Sequence, residues 1–68
     1  MIELKKLKKG ELFLKKEPAE GAIVRSSAVW VKGDYIPEEH KFSCCKWDDM
    51  NHEHLYKGSI LVCDEFEF

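Results

Sequence analysis

Ser27-Ala28-Val29-Trp30-Val31-Lys32-Gly33-Asp34-Tyr35 is the stretch whose reading decides the fold. Branched aliphatics at 29 and 31 alternate with Trp30 and Lys32, the period-two pattern of a strand. Val29 and Val31 therefore share one face, and Trp30 and Lys32 the other. Pro37 cannot donate to a ladder, so this strand is expected to stop before it. Ile36 to His40, with two glutamates after the proline, reads as the tip of a hairpin. Its partner is Lys41 to Trp47, where Phe42 and Cys44 are in phase.

The same alternation recurs on both sides. Glu11 to Lys16 puts Leu12 and Leu14 on one face, and Ser59 to Phe68 brings Ile60, Val62, Phe66 and Phe68 into phase. Between them, Glu17 to Gly21 holds Pro18 and Gly21 and reads as a polar loop. Asp48 and Asp49 suit the start of a helix, so Met50 to Leu55 is expected to form a single α or 3₁₀ turn with Gly58 as a left-handed exit. Leu7 to Leu14 echoes Leu55 to Val62: a leucine, a glycine expected at positive φ, then a strand. The pattern predicts a mainly β chain, a small SH3-like, strongly bent antiparallel barrel of about five strands. Ile2 to Leu7 adds a strand or turn, and one short helical turn falls near 48–55. The alternative is an open antiparallel meander that dimerises to cover its exposed face.

Sixty-eight residues are read as one domain, 1–68, with a thin core. Cys44, Cys45 and Cys63 are an odd count, and neighbours in a strand point to opposite faces. Reduced thiols in a cytoplasmic protein are expected. The longest apolar runs are four residues, Ala28 to Val31 and Ile60 to Cys63, whereas a membrane helix needs about 20. Charge is divided along the chain. Residues 1–16 hold six lysines against two glutamates, and residues 48–68 hold six acids against Lys57. Opposite ends that screen one another explain this, and a nucleic-acid patch is disfavoured because the acidic tail repels phosphate.

Four groups of side chains are candidates for chemistry. Cys44, Cys45, His52, His54 and Cys63 are zinc-type ligands, but Cys-Cys followed by His-x-His lacks the spacing with which one turn holds one ion. The bland reading makes the thiols small buried hydrophobes and puts the histidines on a polar turn. A nucleophile at Cys45 would need His52 or His54, oriented by Asp48, Asp49 or Glu53. No spacing requires that assembly, and no enzyme is expected. Asp48-Asp49 and Asp64-Glu65 lack the alternating oxygen ligands of a calcium loop. The aromatic set is the most informative. With the valines inward, Trp30 faces the other way, Phe13 and Leu61 share its phase, and Trp47 joins them. Either the N-terminal segment with Ile2, Leu4 and Leu7 covers this second apolar face, or it is a binding surface.

Three phrases carry a resemblance: Leu7-Lys8-Lys9-Gly10-Glu11-Leu12-Phe13, Val29 to Tyr35, and Phe42-Ser43-Cys44 followed by Asp48-Asp49-Met50-Asn51. Together they resemble a group of short, uncharacterised proteins of gut Bacteroides-type bacteria and their mobile elements. Most of the chain is covered, outside 17–27, and adjacent Cys45 departs from the pattern. The resemblance implies a cytoplasmic bacterial protein and carries over no activity and no site residue. The function expected from the residues is a small interaction module that binds a protein partner or itself through Phe13, Trp30 and Trp47. A nucleic-acid-binding barrel using Lys5, Lys6, Lys8, Lys9, Lys15 and Lys16 is the second reading, and a zinc protein the third. No cofactor and no membrane are expected.

Overall fold

In the computed structural model, which describes residues 1–66, Trp30 opens a strand that runs to Ile36. The chain is mainly β, and the described residues form six strands: β1 (Ile2–Glu3), β2 (Leu12–Phe13), β3 (Trp30–Ile36), β4 (Lys41–Lys46), β5 (Asp49–Tyr56) and β6 (Leu61–Val62). β2 to β5 form an antiparallel meander, and β1 pairs with β6 in a second, two-stranded sheet. A bridge between Leu14 and Cys63 links the two sheets through two backbone hydrogen bonds of 2.8 Å. The predicted hairpin is present: residues 37–40 turn between β3 and β4, closed by the Glu39 N–H donating to the Ile36 carbonyl. Ile2 to Leu7 is indeed a strand followed by a turn, the latter 3₁₀ over Leu4–Lys6.

The sheets do not close into a barrel. β6 spends its pairing on β1 and on Leu14, and the outer side of β5 is left as a sheet edge. The helical turn expected near 48–55 is a strand instead. Trp47 and Asp48 turn the chain between paired Lys46 and Asp49, and β5 then lies along β4 with Cys44 opposite His54 and Phe42 opposite Tyr56. The Asp49 carboxylate accepts from the Asn51 N–H at 3.2 Å, a turn-type bond rather than a helix cap. An available edge on β4 outweighs a capping preference that no apolar helical stripe supports.

The alternation across 29–32 is as read, but the face of Trp30 carries the larger core. Trp30 is 6% exposed and Phe13 fully buried, packed with Leu4, Leu7, Cys44 and Val62. Of the two explanations for this apolar face, coverage by the N-terminal segment is the one observed. Phe13 and Trp30 are thus core residues, and their expected outward placement is corrected. Leu61 is also corrected: it is exposed, and Val62 takes the place beside Trp30, because β6 takes its phase from β1. Val29 goes to a second, smaller cluster with Leu14 and Cys63, against which Leu12, Val24 and Phe66 pack. The phase assigned to Phe68 lies outside the described residues.

Lys32 follows Trp30's parity into the core and is 5% exposed. Its ammonium donates to the Leu7 carbonyl and stands 4.1 Å from the centroid of the Phe42 ring. The N-terminal segment is thereby tied to the sheet by a charged donor as well as by leucine packing.

Three glycines are fixed by close approach or conformation. Gly10 has φ 92°, as expected. Gly58 was expected to resemble it but is not left-handed; a Cβ there would meet the Phe42 ring at 2.9 Å and Lys5 Cβ at 3.0 Å. Gly33 sits where the β3–β4 register shifts, with its Cα against the Ser43 carbonyl oxygen.

Two substitutions test this packing by denaturant unfolding. Trp30→Ala is expected to cost about 3–5 kcal/mol, the range for emptying a large aromatic site. Gly33→Ala, which adds one methyl group against a backbone carbonyl, is expected to cost about 1–3 kcal/mol. A Trp30→Ala loss below about 1 kcal/mol would return that ring to the surface.

Candidate functional site

The chain from Leu14 to Ala28 leaves β2 and returns to β3 without a long regular element of its own, apart from a 3₁₀ turn over Ser26–Ala28. It stands off the sheet and encloses an open-sided cleft of about 570 Å³. Its apolar lining includes Leu14, Pro18, Ile23, Val24 and the edge of Trp30. Ile23 is 89% exposed, so this side chain stands in water. Lys15, Lys16, Arg25 and Lys46 line the same cleft, against one acid, Glu17.

Two of these cations are anchored. The Lys46 ammonium donates to the Ser27 carbonyl at 2.8 Å and lies 5.4 Å from the Trp30 ring centroid. The Lys15 ammonium lies 5.2 Å from the centroid of Tyr56. Such contacts hold a positive charge against a ring's electron-rich face. Lys16 and Arg25 form no ion pair among the described residues, where the pairs are Glu3–Lys5 and Lys9–Asp34. The cleft thus combines a water-exposed apolar side chain with an excess of positive charge.

Beyond Trp30 the rings continue along β5. Tyr56 meets Trp30 edge-on at 5.2 Å, and His52 and His54 lie 5.8 and 6.5 Å from it. His54 and Tyr56 are 4.6 Å apart and tilted by 37°. The histidines are therefore engaged with the Trp30 face of the sheet. They are not on the polar helical turn that the sequence implied.

The five candidate zinc ligands are dispersed. Cys44 is buried on the Trp30 face and its thiol points to the Phe42 carbonyl at 3.8 Å. Cys45 faces the other side, with its sulfur 3.7 Å from Met50 Sδ. Cys63 is buried in the second cluster, 3.4 Å from the Glu65 carbonyl. Among the described residues no group of three or more His, Cys, Asp or Glu side chains is placed to share a metal ion. The assembly imagined around Cys45 is likewise not formed, since His52 and His54 lie across the sheet from it. Trp47, the third proposed contact residue, is 46% exposed in the β4–β5 turn, and its backbone N–H donates to the Val29 carbonyl at 2.9 Å.

Loop 17–27 was legible only as a polar connection. A signal was present nonetheless: Ile23-Val24 is an apolar pair inside a loop, followed by Arg25 and preceded by Lys15-Lys16. No helix of the described residues is long and apolar enough to cross a membrane. No protein-family model, curated protein or solved structure matches the chain.

Two buried titratable groups give the fold an alkaline signature. Burial pushes the Lys32 ammonium below its ordinary 10.5, opposed by the charges of Cys44 and Glu11. Burial also pushes the Cys44 thiol above its ordinary 9.0; a Gly33 backbone hydrogen bond and Lys32 oppose this, and Cys45 adds to it. Between the lowered Lys32 value and 10.5 the unfolded chain binds the extra proton, so this group makes stability rise with pH. Above 9.0 the folded chain retains the Cys44 proton longer, so this group makes stability fall. Unfolding measured from about pH 8 to 11 should separate them. Lys32→Met leaves the fall alone and steepens it, whereas Cys44→Ala leaves the rise. Parallel pH profiles in all three proteins would contradict both assignments.

Proposed function

We propose that this chain is a small β interaction module whose cleft takes an extended, acidic segment of a protein partner with an apolar side chain as anchor. The observation that carries this reading is the cleft's composition, four cations around an apolar floor with Ile23 in water. An acidic segment would be steered by the lysines and Arg25 and would gain affinity by covering Ile23. Exposed cations on long stems set orientation and rate more than depth of binding, so the apolar anchor is expected to dominate affinity.

Single-stranded nucleic acid is the competing ligand for a basic surface with aromatic rings. The contacts favour protein. Lys46 already lies over the Trp30 ring and Lys15 over Tyr56, and His54 and Tyr56 partly stack on each other. Ring faces committed in this way are poor platforms for bases. The N-terminal lysines proposed for nucleic acid are also divided: Lys15 and Lys16 line the cleft, while Lys9 pairs with Asp34 at 2.7 Å and Lys5 with Glu3 at 3.6 Å. Binding, rather than catalysis, is the activity this arrangement suits.

Tryptophan fluorescence, with Trp30 in the cleft wall, reads the interaction directly. A synthetic peptide alternating glutamate with phenylalanine is expected to bind, and its lysine-containing counterpart not to. Arg25→Glu and Lys16→Glu should each weaken binding by about 1 kcal/mol, roughly fivefold. Ile23→Ser should weaken it further while leaving unfolding unchanged. Tighter binding of a single-stranded oligonucleotide, or indifference to both charge reversals, would overturn the reading. Asp64-Glu65-Phe66 carries the same chemistry as the peptide, so sedimentation of the protein alone distinguishes a second copy from a foreign partner.

A further inference from the structure

The turn between β4 and β5 brings two sulfur atoms together on the side of the sheet away from Trp30. Cys45 is half-buried and Met50 is 63% exposed, and their sulfurs are 3.7 Å apart. This contact is not produced by regular pairing. Cys45 pairs with Glu53 and the next residue, Lys46, with Asp49, so extra residues of β5 are accommodated between the two pairs. His52 keeps the parity of His54 and meets the Trp30 ring, whereas Met50, two residues earlier, has its sulfur beside Cys45 on the other side. Bulges of this kind commonly re-aim one side chain.

We infer that Cys45 and Met50 form a binding site for a soft monovalent d¹⁰ cation, Cu(I). Thiolate with thioether is the donor pair that selects such an ion over harder divalent metals. The Cys45 thiol donates to the Met50 thioether across 3.7 Å, so the two sulfurs already face each other. In the binding step the Cys45 S–H bond breaks, the proton leaves to solvent, and lone pairs of both sulfurs bond to Cu(I). The metal keeps its oxidation state and total charge is conserved. The separation suits a bent S–Cu–S arrangement whose third position opens to water. Asp48 in the adjoining turn, Asp49 at the start of β5 and Glu53 opposite Cys45 add negative charge without soft donors. No imidazole competes on this side, because His52 and His54 are held against Trp30. Cys44 and Cys63 are buried in separate clusters and supply no second thiolate.

The test is an anaerobic titration of the full chain with Cu(I) supplied as its bicinchoninate complex, followed by loss of the chelate colour. The protein is expected to withdraw a single equivalent. Cys45→Ser should abolish the withdrawal, and Met50→Leu, which keeps the volume and removes the sulfur, should return the metal to chelator at a concentration the unaltered protein withstands. Both positions are at least partly open to solvent, and circular dichroism of each variant verifies that it is folded. Excess Zn(II) should leave the copper in place. The inference fails if no copper is withdrawn, if Met50→Leu holds copper as well as the unaltered protein, or if Zn(II) displaces it.

Discussion

The structure depends on the N-terminal segment lying across Trp30 and Phe13. Among the described residues there is one four-stranded sheet and no α-helix to lay on it, so each apolar face must be covered by short irregular segments. Leu4 and Leu7 cover one face, aided by Val62, and the 3₁₀ turn at Leu4–Lys6 brings both leucines inward within four residues. Leucine packing alone sets no direction along the sheet. The Lys32 ammonium does, because it donates to one particular carbonyl, that of Leu7, and needs that acceptor once it has left water. β1 then fixes β6 through Ile2 with Val62 and Glu3 with Leu61, and the Leu14–Cys63 bridge brings the end of β6 back to the meander. Each sheet is therefore positioned by the same ten N-terminal residues.

Much of this was legible in period-two alternation. β3, its hairpin and β4 fall where Val29 to Tyr35, Pro37 and Phe42 put them, since apolar side chains recur on a half-buried strand and proline ends its ladder. β5 was not legible for the complementary reason. Its alternating set, His52, His54 and Tyr56 against Asn51, Glu53 and Leu55, is almost wholly polar, so the hydrophobic signal that marks strands is absent from a strand at a sheet edge. Asp48 and Asp49, at its start, then mimic a helix start. The side of the sheet carrying the main core was missed on a matter of weight. Two valines are no stronger evidence of interior than a tryptophan, which buries more area. The leucines to cover that tryptophan were present at 4 and 7.

Gly58 marks a second limit. Sequence likeness to the Leu7–Leu14 phrase suggested a shared left-handed glycine, yet the two glycines are required for different reasons, conformation at Gly10 and space beside Phe42 at Gly58. A residue type records that a side chain is excluded and is silent on what excludes it. The cleft was obscured in a similar way. Its cations come from Lys15-Lys16, Arg25 and Lys46, which are up to 31 positions apart and converge only because Trp30 pairs with Lys46 while the 14–28 segment arches over.

The same shortage of chain that fixes the core also decides where chemistry is accessible. The N-terminal segment is committed to one face, and Val24 with Phe66 to the other at the β2 end. No described segment is left to cover the β4–β5 turn. The side chains at the turn and at the start of β5, Trp47, Asp48, Asp49 and Met50, are accordingly exposed, although the backbone beneath them is held by β4 pairing and by the Trp47 backbone N–H on Val29. A hydrogen-bonded backbone carrying exposed side chains is the arrangement that lets a binding group be held in position without being buried. Here it places two sulfurs side by side on one face of the sheet and leaves three aromatic or imidazole rings against Trp30 on the other.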